Sequence, residues 1–237
     1  MPDYEIILWN ENNFDIDSVT FVKEAYSVKK WAFVADYVRL YAIYKYGGIY
    51  FDTDIYILKK FDPFLEYDFF TSLEYQEPTK IFENVINSDL NDIQRVGNIS
   101  FQSGMLGAVS GHPYLFDCLE WYNNRNFILK NGSYLTKPTA SEIYPAIAQK
   151  YGFRYLNEPQ KLNMNMMILP CSLFSQGEIY VTKDTYAVHW WEGSWRKEKE
   201  SKLIRALKNN NTINKLFRRK NKSTIEEKIQ KSLKENS

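Results

Sequence analysis

The sequence contains few of the residues that build covalent or metal-bound frameworks. Its 237 residues include two cysteines, Cys118 and Cys171, and two histidines, His112 and His189. So few cysteines exclude a disulfide framework and a cysteine-based zinc site, and they indicate a reducing, cytoplasmic setting. We find neither a signal peptide nor an apolar run long enough to span a bilayer. The composition, 44% hydrophobic and 25% charged, is otherwise typical of a globular protein.

A net charge of only +1 hides an uneven distribution of charge along the chain. From Arg196 onward there are 14 Lys or Arg residues against 5 Glu, so the preceding part is acidic. We therefore expect a body over residues 1–196 and a basic helical tail over residues 197–237. The tail suits contact with an anionic surface, such as the inner face of a membrane, and a solvated helix is the alternative. We expect no nucleic-acid partner.

Hydrophobic patterns predict strands that alternate with helices, which indicates an α/β fold. The predicted strands lie at 4–9, 67–74, 98–109 and 166–169, a strand–turn–strand unit lies at 49–58, and the predicted helices lie at 18–28, 29–48, 112–125 and 139–151. In the tail, Ile225, Ile229 and Leu233 form an apolar stripe at helical spacing, and they predict a short amphipathic helix.

The helix predicted over residues 29–48 contains two charged residues on one face. Asp36 and Arg39 are three residues apart, and apolar and aromatic side chains surround nearly the whole circumference of this helix. Buried charges need partners. One interpretation is therefore an internal ion pair between the two. The other is a polar pocket in which Asp36 accepts hydrogen bonds from sugar hydroxyls and Arg39 meets a phosphate or a ring oxygen.

Two aspartates follow that helix in the stretch "YGGIYFDTDIYIL", residues 46–58. Asp52 and Asp54 stand at the end of a predicted strand, where open α/β sheets bind their ligands. Carboxylates at this spacing suit a hard divalent cation, which in turn neutralises a diphosphate. A polar turn is the structural alternative, because an isolated Asp-x-Asp is a weak motif. An aspartate pair also occurs in phosphohydrolases, but the sequence shows no clustered His and Asp ligand set of that kind.

The two histidines lie in different contexts. His112 precedes Pro113 at the start of a predicted helix, and it is most simply a capping residue or a surface residue. His189 lies in "VHWWEGSW", between an apolar strand and a turn rich in Trp. It is either a structural residue or a third metal ligand.

Three ordered motifs resemble one known family. "ADYVRLYAIYKYGGIYFDTDIYILK", "NISFQSGMLGAVSGHPYL" and "TYAVHWWEGSW" are similar to segments of the DXD-containing sugar transferases. That family includes the initiation mannosyltransferase of the yeast Golgi, bacterial capsule and lipopolysaccharide transferases and, more distantly, the glucosylating clostridial toxins. The resemblance covers roughly residues 4–196. It implies a GT-A-type fold with a mixed central sheet flanked by helices, Mn²⁺ or Mg²⁺ as the cofactor, and retention of anomeric configuration.

The resemblance also implies roles for individual residues. Asp36 and Arg39 would hold the donor sugar, while Tyr50 and Asp52 would face the ribose and the sugar. Asp54 would bind the metal, and Asp52 would be a further metal ligand. The remaining implied residues are His189 as a metal ligand, Ser194 and Trp195 at the diphosphate, and Gln102 or Ser103 near the sugar or the acceptor.

Relatives begin with a further strand that this chain, starting at Met1, is expected to lack. The function implied is metal-dependent, retaining transfer of a sugar from a nucleotide sugar, a UDP sugar by preference, to a capsular or other surface glycan. The acceptor would be a glycan or a lipid-linked glycan. The alternative is a truncated, inactive relative that binds a glycan or a nucleotide without transferring anything.

Overall fold

The computed structural model describes residues 3–75, 89–93, 96–177, 181–190 and 226–234. The helices are α1 (Thr20–Ser27), α2 (Trp31–Tyr46), α3 (Pro113–Asn123), α4 (Ala140–Ala148) and a C-terminal helix over residues 226–234. The strands are β1 (Gly48–Phe51), β2 (Ile55–Ile57), β3 (Phe69–Tyr75), β4 (Ile99–Phe101), β5 (Met105–Ala108), β6 (Gln160–Leu162), β7 (Met166–Leu169), β8 (Phe174–Gln176) and β9 (Ala187–His189). Short 3₁₀ helices cover Ile16–Ser18, Asp62–Phe64 and Gln149–Tyr151.

Two sheets organise the strands. The larger sheet has the order β1-β5-β3-β7-β6, with β4 paired to β3, and the smaller one has the order β2-β9-β8. Strands β3 and β7 are parallel, whereas β1 and β5, β3 and β5, and β6 and β7 are antiparallel. The larger sheet is therefore mixed, and the predicted α/β class with a mixed sheet flanked by helices is confirmed.

Alternating side chains place the larger sheet between two apolar layers. Phe69, Leu73 and Leu106 belong to a core shared with helices α1 to α4. Phe70 and Met105, their neighbours along β3 and β5, belong to a second core on the other face. This period of two is the geometry of a strand buried on both faces. The second core continues to strands β8 and β9, so it joins the two sheets.

Helix α2 ends where the glycine pair predicts. Its last residue is Tyr46, and the N–H of Gly47 donates to the carbonyl oxygen of Ile43 at 2.8 Å. Gly47 has φ 71°, and a Cβ there would lie 3.0 Å from the backbone nitrogen of Ser110. Glycine therefore meets both a conformational and a steric requirement at this helix end. The chain then enters β1 directly.

The sequence predictions are wrong at two places. Residues 4–9 form no strand in the part of the chain that the structure describes, and Ile6 and Leu8 are 87% and 73% exposed. An apolar run forms a strand only where a neighbouring strand pairs with it. The strand predicted over 98–109 is in fact two, β4 and β5, because the chain bends between Phe101 and Met105.

The C-terminal helix, residues 226–234, packs on the smaller sheet. Ile229 is buried against Val181 and Val188, and Leu233 contacts the same cluster. Two members of the predicted apolar stripe are thus confirmed on a buried face, while Ile225 lies outside the described residues. No helix in the described ranges has the length and apolar character needed to cross a bilayer.

Candidate functional site

Asp52 and Asp54 lie in the turn that connects the two sheets. Asp52 follows β1 of the larger sheet, and its N–H donates to the carbonyl oxygen of Gly104 at 2.8 Å. Ile55, which begins β2 of the smaller sheet, donates its N–H to the carbonyl oxygen of Asp52 at 3.2 Å. The side chains of Asp52 and Asp54 are 25% and 21% exposed. Both carboxylates are thus held by strand ends and are still reachable from solvent.

His189 reaches the same turn from the other end of the chain. It ends β9, where it is paired with Ile55 across the smaller sheet. Its Nε2 lies 3.3 Å from Oδ1 of Asp54, and the N–H of Trp190 donates to the carbonyl oxygen of Asp54 at 3.1 Å. The structure therefore brings together the three residues for which the sequence suggested metal binding.

Because Gly104 has no side chain, the side chains of Asp52 and His189 can lie close to the backbone at this position. A Cβ on Gly104 would lie 2.7 Å from Oδ2 of Asp52 and 3.1 Å from Cε1 of His189. Any larger side chain would displace the aspartate or the imidazole. The sequence predicted glycines at positions of close approach along 98–109, but it did not indicate which side chains would come close to them.

The Asp52, Asp54 and His189 side chains offer ligand atoms that all lie within 4.8 Å of one another. Among the described residues this is the cluster with the donors and spacing for a metal ion. Carboxylate oxygens suit Mg²⁺ and Mn²⁺, and imidazole is a ligand for first-row transition metals. The donor set therefore fits a divalent cation, and the two carboxylates supply negative charge to balance it.

Asp36 and Arg39 form a second charged group beside the first. Nη2 of Arg39 lies 3.0 Å from Oδ1 of Asp36 and 3.5 Å from Oδ1 of Asp52. Nη1 of Arg39 donates to the carbonyl oxygen of Ser103 at 2.5 Å. The sequence left open an internal ion pair or a polar pocket. The ion pair is present, and the same guanidinium also extends to the turn that holds Asp52.

Burial controls the protonation of this second group. Desolvation raises the pKa of Asp36 from 3.8 to about 6, although Arg39 acts in the opposite direction and Asp52 in the same one. Desolvation disfavours the charge of Arg39, but the neighbouring Asp52, Tyr50 and Asp36 more than compensate and raise its pKa. Arg39 is therefore a permanent cation, only 4% exposed.

Tyr50 connects the two groups. Its hydroxyl donates to Oδ1 of Asp52 at 2.6 Å, and the Arg39 guanidinium lies 5.0 Å from the centre of its ring. Burial and the adjacent Asp52 raise the pKa of the Tyr50 phenol, against the influence of Arg39. The hydroxyl consequently stays protonated and orients Asp52.

Gln102 and Ser103 lie in the bend between β4 and β5. Gln102 is buried, and its Oε1 lies 2.9 Å from Nδ1 of His189. Ser103 is half-buried and touches the site through its carbonyl oxygen, the acceptor for Arg39. Their predicted proximity to the sugar or the acceptor stays a prediction. Ser194 and Trp195, predicted at the diphosphate, lie outside the described residues.

Some contacts of the candidate site were not predicted from the sequence. The contact between Gln102 and His189 joins residues 87 positions apart, and no local sequence pattern predicts it. Tyr144 of α4 is fully buried, and its hydroxyl donates to the carbonyl oxygen of Asp36 at 3.3 Å. Its position in an apolar helix resembles that of any core aromatic residue.

Parts of the chain are similar to known proteins. Residues 1–71 match the family described as the glycosyltransferase sugar-binding region containing the DXD motif. Over 122 residues the chain is 27% identical to inositol phosphoceramide mannosyltransferase 3 of Schizosaccharomyces pombe, an overlap that includes 48% of this chain and 27% of that protein. The chain thus matches about a quarter of the length of that curated relative. No solved structure matches.

The mixed sheet and its flanking helices are consistent with a GT-A-type fold. The matched region contains the whole of helix α2, strands β1 and β2, and the acidic turn between them. The similarity to the DXD-containing glycosyltransferase sugar-binding region thus lies in the N-terminal residues of the chain, which include Asp52 and Asp54.

Proposed function

We propose that this protein is a metal-dependent glycosyltransferase that transfers a sugar from a nucleotide sugar to a glycan or lipid-linked glycan acceptor. The observation that carries the proposal is the cluster of Asp52, Asp54 and His189 directly beside the Asp36 and Arg39 pair. The cluster fits a divalent cation, and the neighbouring pair adds polar groups for a hydroxylated ligand.

Asp52, Asp54 and His189 would hold the cation, with Mn²⁺ favoured over Mg²⁺ because one of the three ligands is an imidazole nitrogen. When bound, a divalent cation would neutralise the donor diphosphate and stabilise it as a leaving group. Arg39 and Tyr50 both contact Oδ1 of Asp52, through the 3.5 Å ion pair and the 2.6 Å hydrogen bond, and they hold this carboxylate in place. Asp36 would accept hydrogen bonds from the sugar.

We propose transfer with retention by front-face attack. The bond between the anomeric carbon and the diphosphate oxygen breaks, and the bond to the acceptor oxygen forms on the same face. The acceptor proton passes to the leaving phosphate oxygen. A double displacement would need a carboxylate nucleophile at the anomeric carbon. Asp36 is less suited to that role because it is paired with Arg39 at 3.0 Å.

The identity of the donor and the acceptor is part of the proposal. We favour a UDP sugar and a capsular or other surface polysaccharide, as the resemblance of the motifs implies. The name of the fungal relative specifies mannosyl transfer to inositol phosphoceramide, which adds mannose to the candidate sugars and a lipid to the candidate acceptors. The basic tail beyond Arg196 would support peripheral contact with an anionic membrane on which such an acceptor lies.

Calorimetric titration with nucleoside diphosphates tests the proposal. We expect UDP to bind in the presence of Mn²⁺, to bind far more weakly without it, and to lose its Mn²⁺-dependent binding in Asp54→Ala. GDP in a parallel titration decides which base is accepted. Asp17→Ala is the matched control, since Asp17 is an exposed aspartate that forms an ion pair with Lys23 at the surface.

Binding of both diphosphates without dependence on Mn²⁺, or full binding in Asp54→Ala, would contradict the metal-dependent site. If the wild-type chain binds the nucleotide but transfers no sugar to any acceptor, the alternative of a nucleotide-binding module is favoured instead.

A further inference from the structure

We propose that Gln102 is a positioning residue for the cation site. Its amide oxygen keeps a proton on Nδ1 of His189, and this leaves Nε2 as the nitrogen that can bind a cation. The inference rests on the proposed function, because it assigns a role to one more residue of the same site.

The bend between β4 and β5 fixes Gln102 in place. Its backbone N–H donates to the carbonyl oxygen of Ser72 at 2.9 Å, and its carbonyl oxygen accepts from the hydroxyl of Thr71 at 2.9 Å. The side chain is 1% exposed, and its Oε1 lies 2.9 Å from Nδ1 of His189. The fixed backbone and the burial of the side chain thus keep the amide oxygen beside the imidazole.

The N–H of Gly104 determines which end of the amide faces His189. The oxygen and the nitrogen of a glutamine side chain have nearly the same shape, so hydrogen-bond partners must distinguish them. The Gly104 N–H lies 3.3 Å from Oε1, and a backbone N–H can only donate. A reversed amide would place an N–H against this donor. The oxygen therefore faces both Gly104 and His189.

The orientation of the amide then sets the tautomer of His189. An acceptor oxygen at 2.9 Å from Nδ1 requires a hydrogen on that nitrogen. In the neutral ring the lone pair is consequently on Nε2, which lies 3.3 Å from Oδ1 of Asp54. Two electron-rich atoms at this distance need a proton or a cation between them. A divalent cation bound to both Nε2 and the carboxylate would meet that need.

The amide nitrogen of Gln102 shows that packing alone does not explain this residue. Nε2 of Gln102 is buried and has no hydrogen-bond partner among the described residues. An unpaired buried donor is unfavourable, and an apolar side chain of similar size would avoid it. A role that needs the amide oxygen accounts for a residue that packing would disfavour.

Nitrogen-15 NMR of the imidazole rings tests the tautomer without any metal. At a pH high enough to make both rings neutral, we expect His189 to carry its proton on Nδ1. His112 is an internal control with the opposite tautomer. Its Nδ1 accepts from the N–H of Tyr114 at 3.2 Å, and its Nε2 lies 3.2 Å from the carbonyl oxygen of Met164. A His112→Asn variant assigns the two sets of signals.

Substitutions of Gln102 connect the tautomer to the cation. Gln102→Leu should move the His189 proton toward Nε2, leave His112 unchanged and weaken Mn²⁺ binding by about 10- to 100-fold. Gln102→Glu keeps an acceptor oxygen and should retain both the tautomer and most of the Mn²⁺ affinity. Gln160→Leu is the matched control, because Gln160 bonds to Arg154 at the opposite edge of the larger sheet. It should leave Mn²⁺ binding unchanged.

A proton on Nε2 of His189 in the wild-type chain would overturn the inference, even if Gln102→Leu failed to fold. Unchanged Mn²⁺ affinity in a folded Gln102→Leu variant would overturn it as well. A wild-type chain with the expected tautomer but without Mn²⁺ affinity would overturn the proposed function and leave the Gln102 and His189 pairing intact.

Discussion

Two charged groups lie side by side in this protein, and they are built in opposite ways. Asp36 and Arg39 form a closed pair in helix α2, with side chains 14% and 5% exposed. Asp52, Asp54 and His189 form an open cluster at the junction of the two sheets, with carboxylates that are about a quarter exposed or slightly less. Asp52 belongs to both groups through its 3.5 Å contact with Arg39.

The difference shows what each group is suited to do. The closed pair balances its charges internally, so breaking it should mainly change the stability of the fold. The open cluster has two carboxylates in contact with solvent, so changing it should mainly alter the binding of a cation. Substitutions that remove one member of each group test this division.

Arg39→Met should have the largest effect on stability. It would leave the buried Asp36 carboxylate without its cation, and it would also remove the hydrogen bond to Ser103. Removing one partner of a buried ion pair costs about 3–5 kcal/mol. We expect a loss of this size in the free energy of unfolding, measured by urea denaturation at pH 8. The double variant Asp36→Asn with Arg39→Met should recover part of it.

Arg125→Met is the matched control for this comparison. Arg125 is half-buried and stacks on Trp121 at 4.2 Å, and it donates to the carbonyl oxygens of Trp121 and Leu90. Its loss leaves no buried carboxylate without a cation among the described residues, so the free energy of unfolding should fall by less than in Arg39→Met. A loss as large as that in Arg39→Met would contradict the view that uncompensated charge causes the effect.

The next effect is a pH dependence that arises from Asp36. Its pKa is raised from 3.8 to about 6, so the folded state holds the proton more tightly than the unfolded state does. This contribution to stability is fully present below pH 3.8 and is lost as the pH rises to about 6. The total change is about 3 kcal/mol at most. We expect the stability of the wild type relative to Asp36→Asn to fall between pH 4 and pH 6.

Relative to Glu142→Gln, the stability of the wild type should depend on pH in the opposite direction. Burial would raise the pKa of Glu142, but hydrogen bonds from Thr139 and the charge of Lys137 lower it overall. Its contribution is therefore present above the pKa of the unfolded state and is lost as the pH falls. Urea denaturation at a series of pH values measures both. If the stability of the wild type changed with pH in the same direction relative to the two variants, our description of the Asp36 environment would be wrong.

Much of the closed pair could be predicted from the sequence, because it is local. Asp36 and Arg39 are one helical turn apart, and the apolar residues around them require that they find partners nearby. The end of α2 at Tyr46 and the strand–turn–strand around Asp52 and Asp54 follow from local patterns in the same way. Residues 4–9 show the limit of local patterns. Their apolar pattern predicts a strand, but a strand needs a neighbouring strand to pair with.

The open cluster depends on contacts that are distant in sequence. His189 meets Asp54 only because β9 pairs with β2, and no spacing rule predicts that pairing. The family resemblance suggested His189 as a ligand, and the structure explains how it arrives there. The contact of Gln102 with His189 depends on the bend that divides the predicted strand over 98–109, so it could not be deduced from a single continuous strand.

The smallest effect on stability should come from the open cluster itself. Asp54→Asn keeps the shape of a side chain that is 21% exposed, and it removes one of two neighbouring negative charges. Without metal, we expect the free energy of unfolding to change by no more than about 0.5 kcal/mol. With Mn²⁺ at 100 times its dissociation constant, the wild type should gain about 2.7 kcal/mol, because the folded state alone presents the assembled site. Asp54→Asn should gain much less at that concentration. Thermal unfolding with and without Mn²⁺ measures both quantities, and a strongly destabilised Asp54→Asn without metal would mean that the cluster supports the fold as the closed pair does.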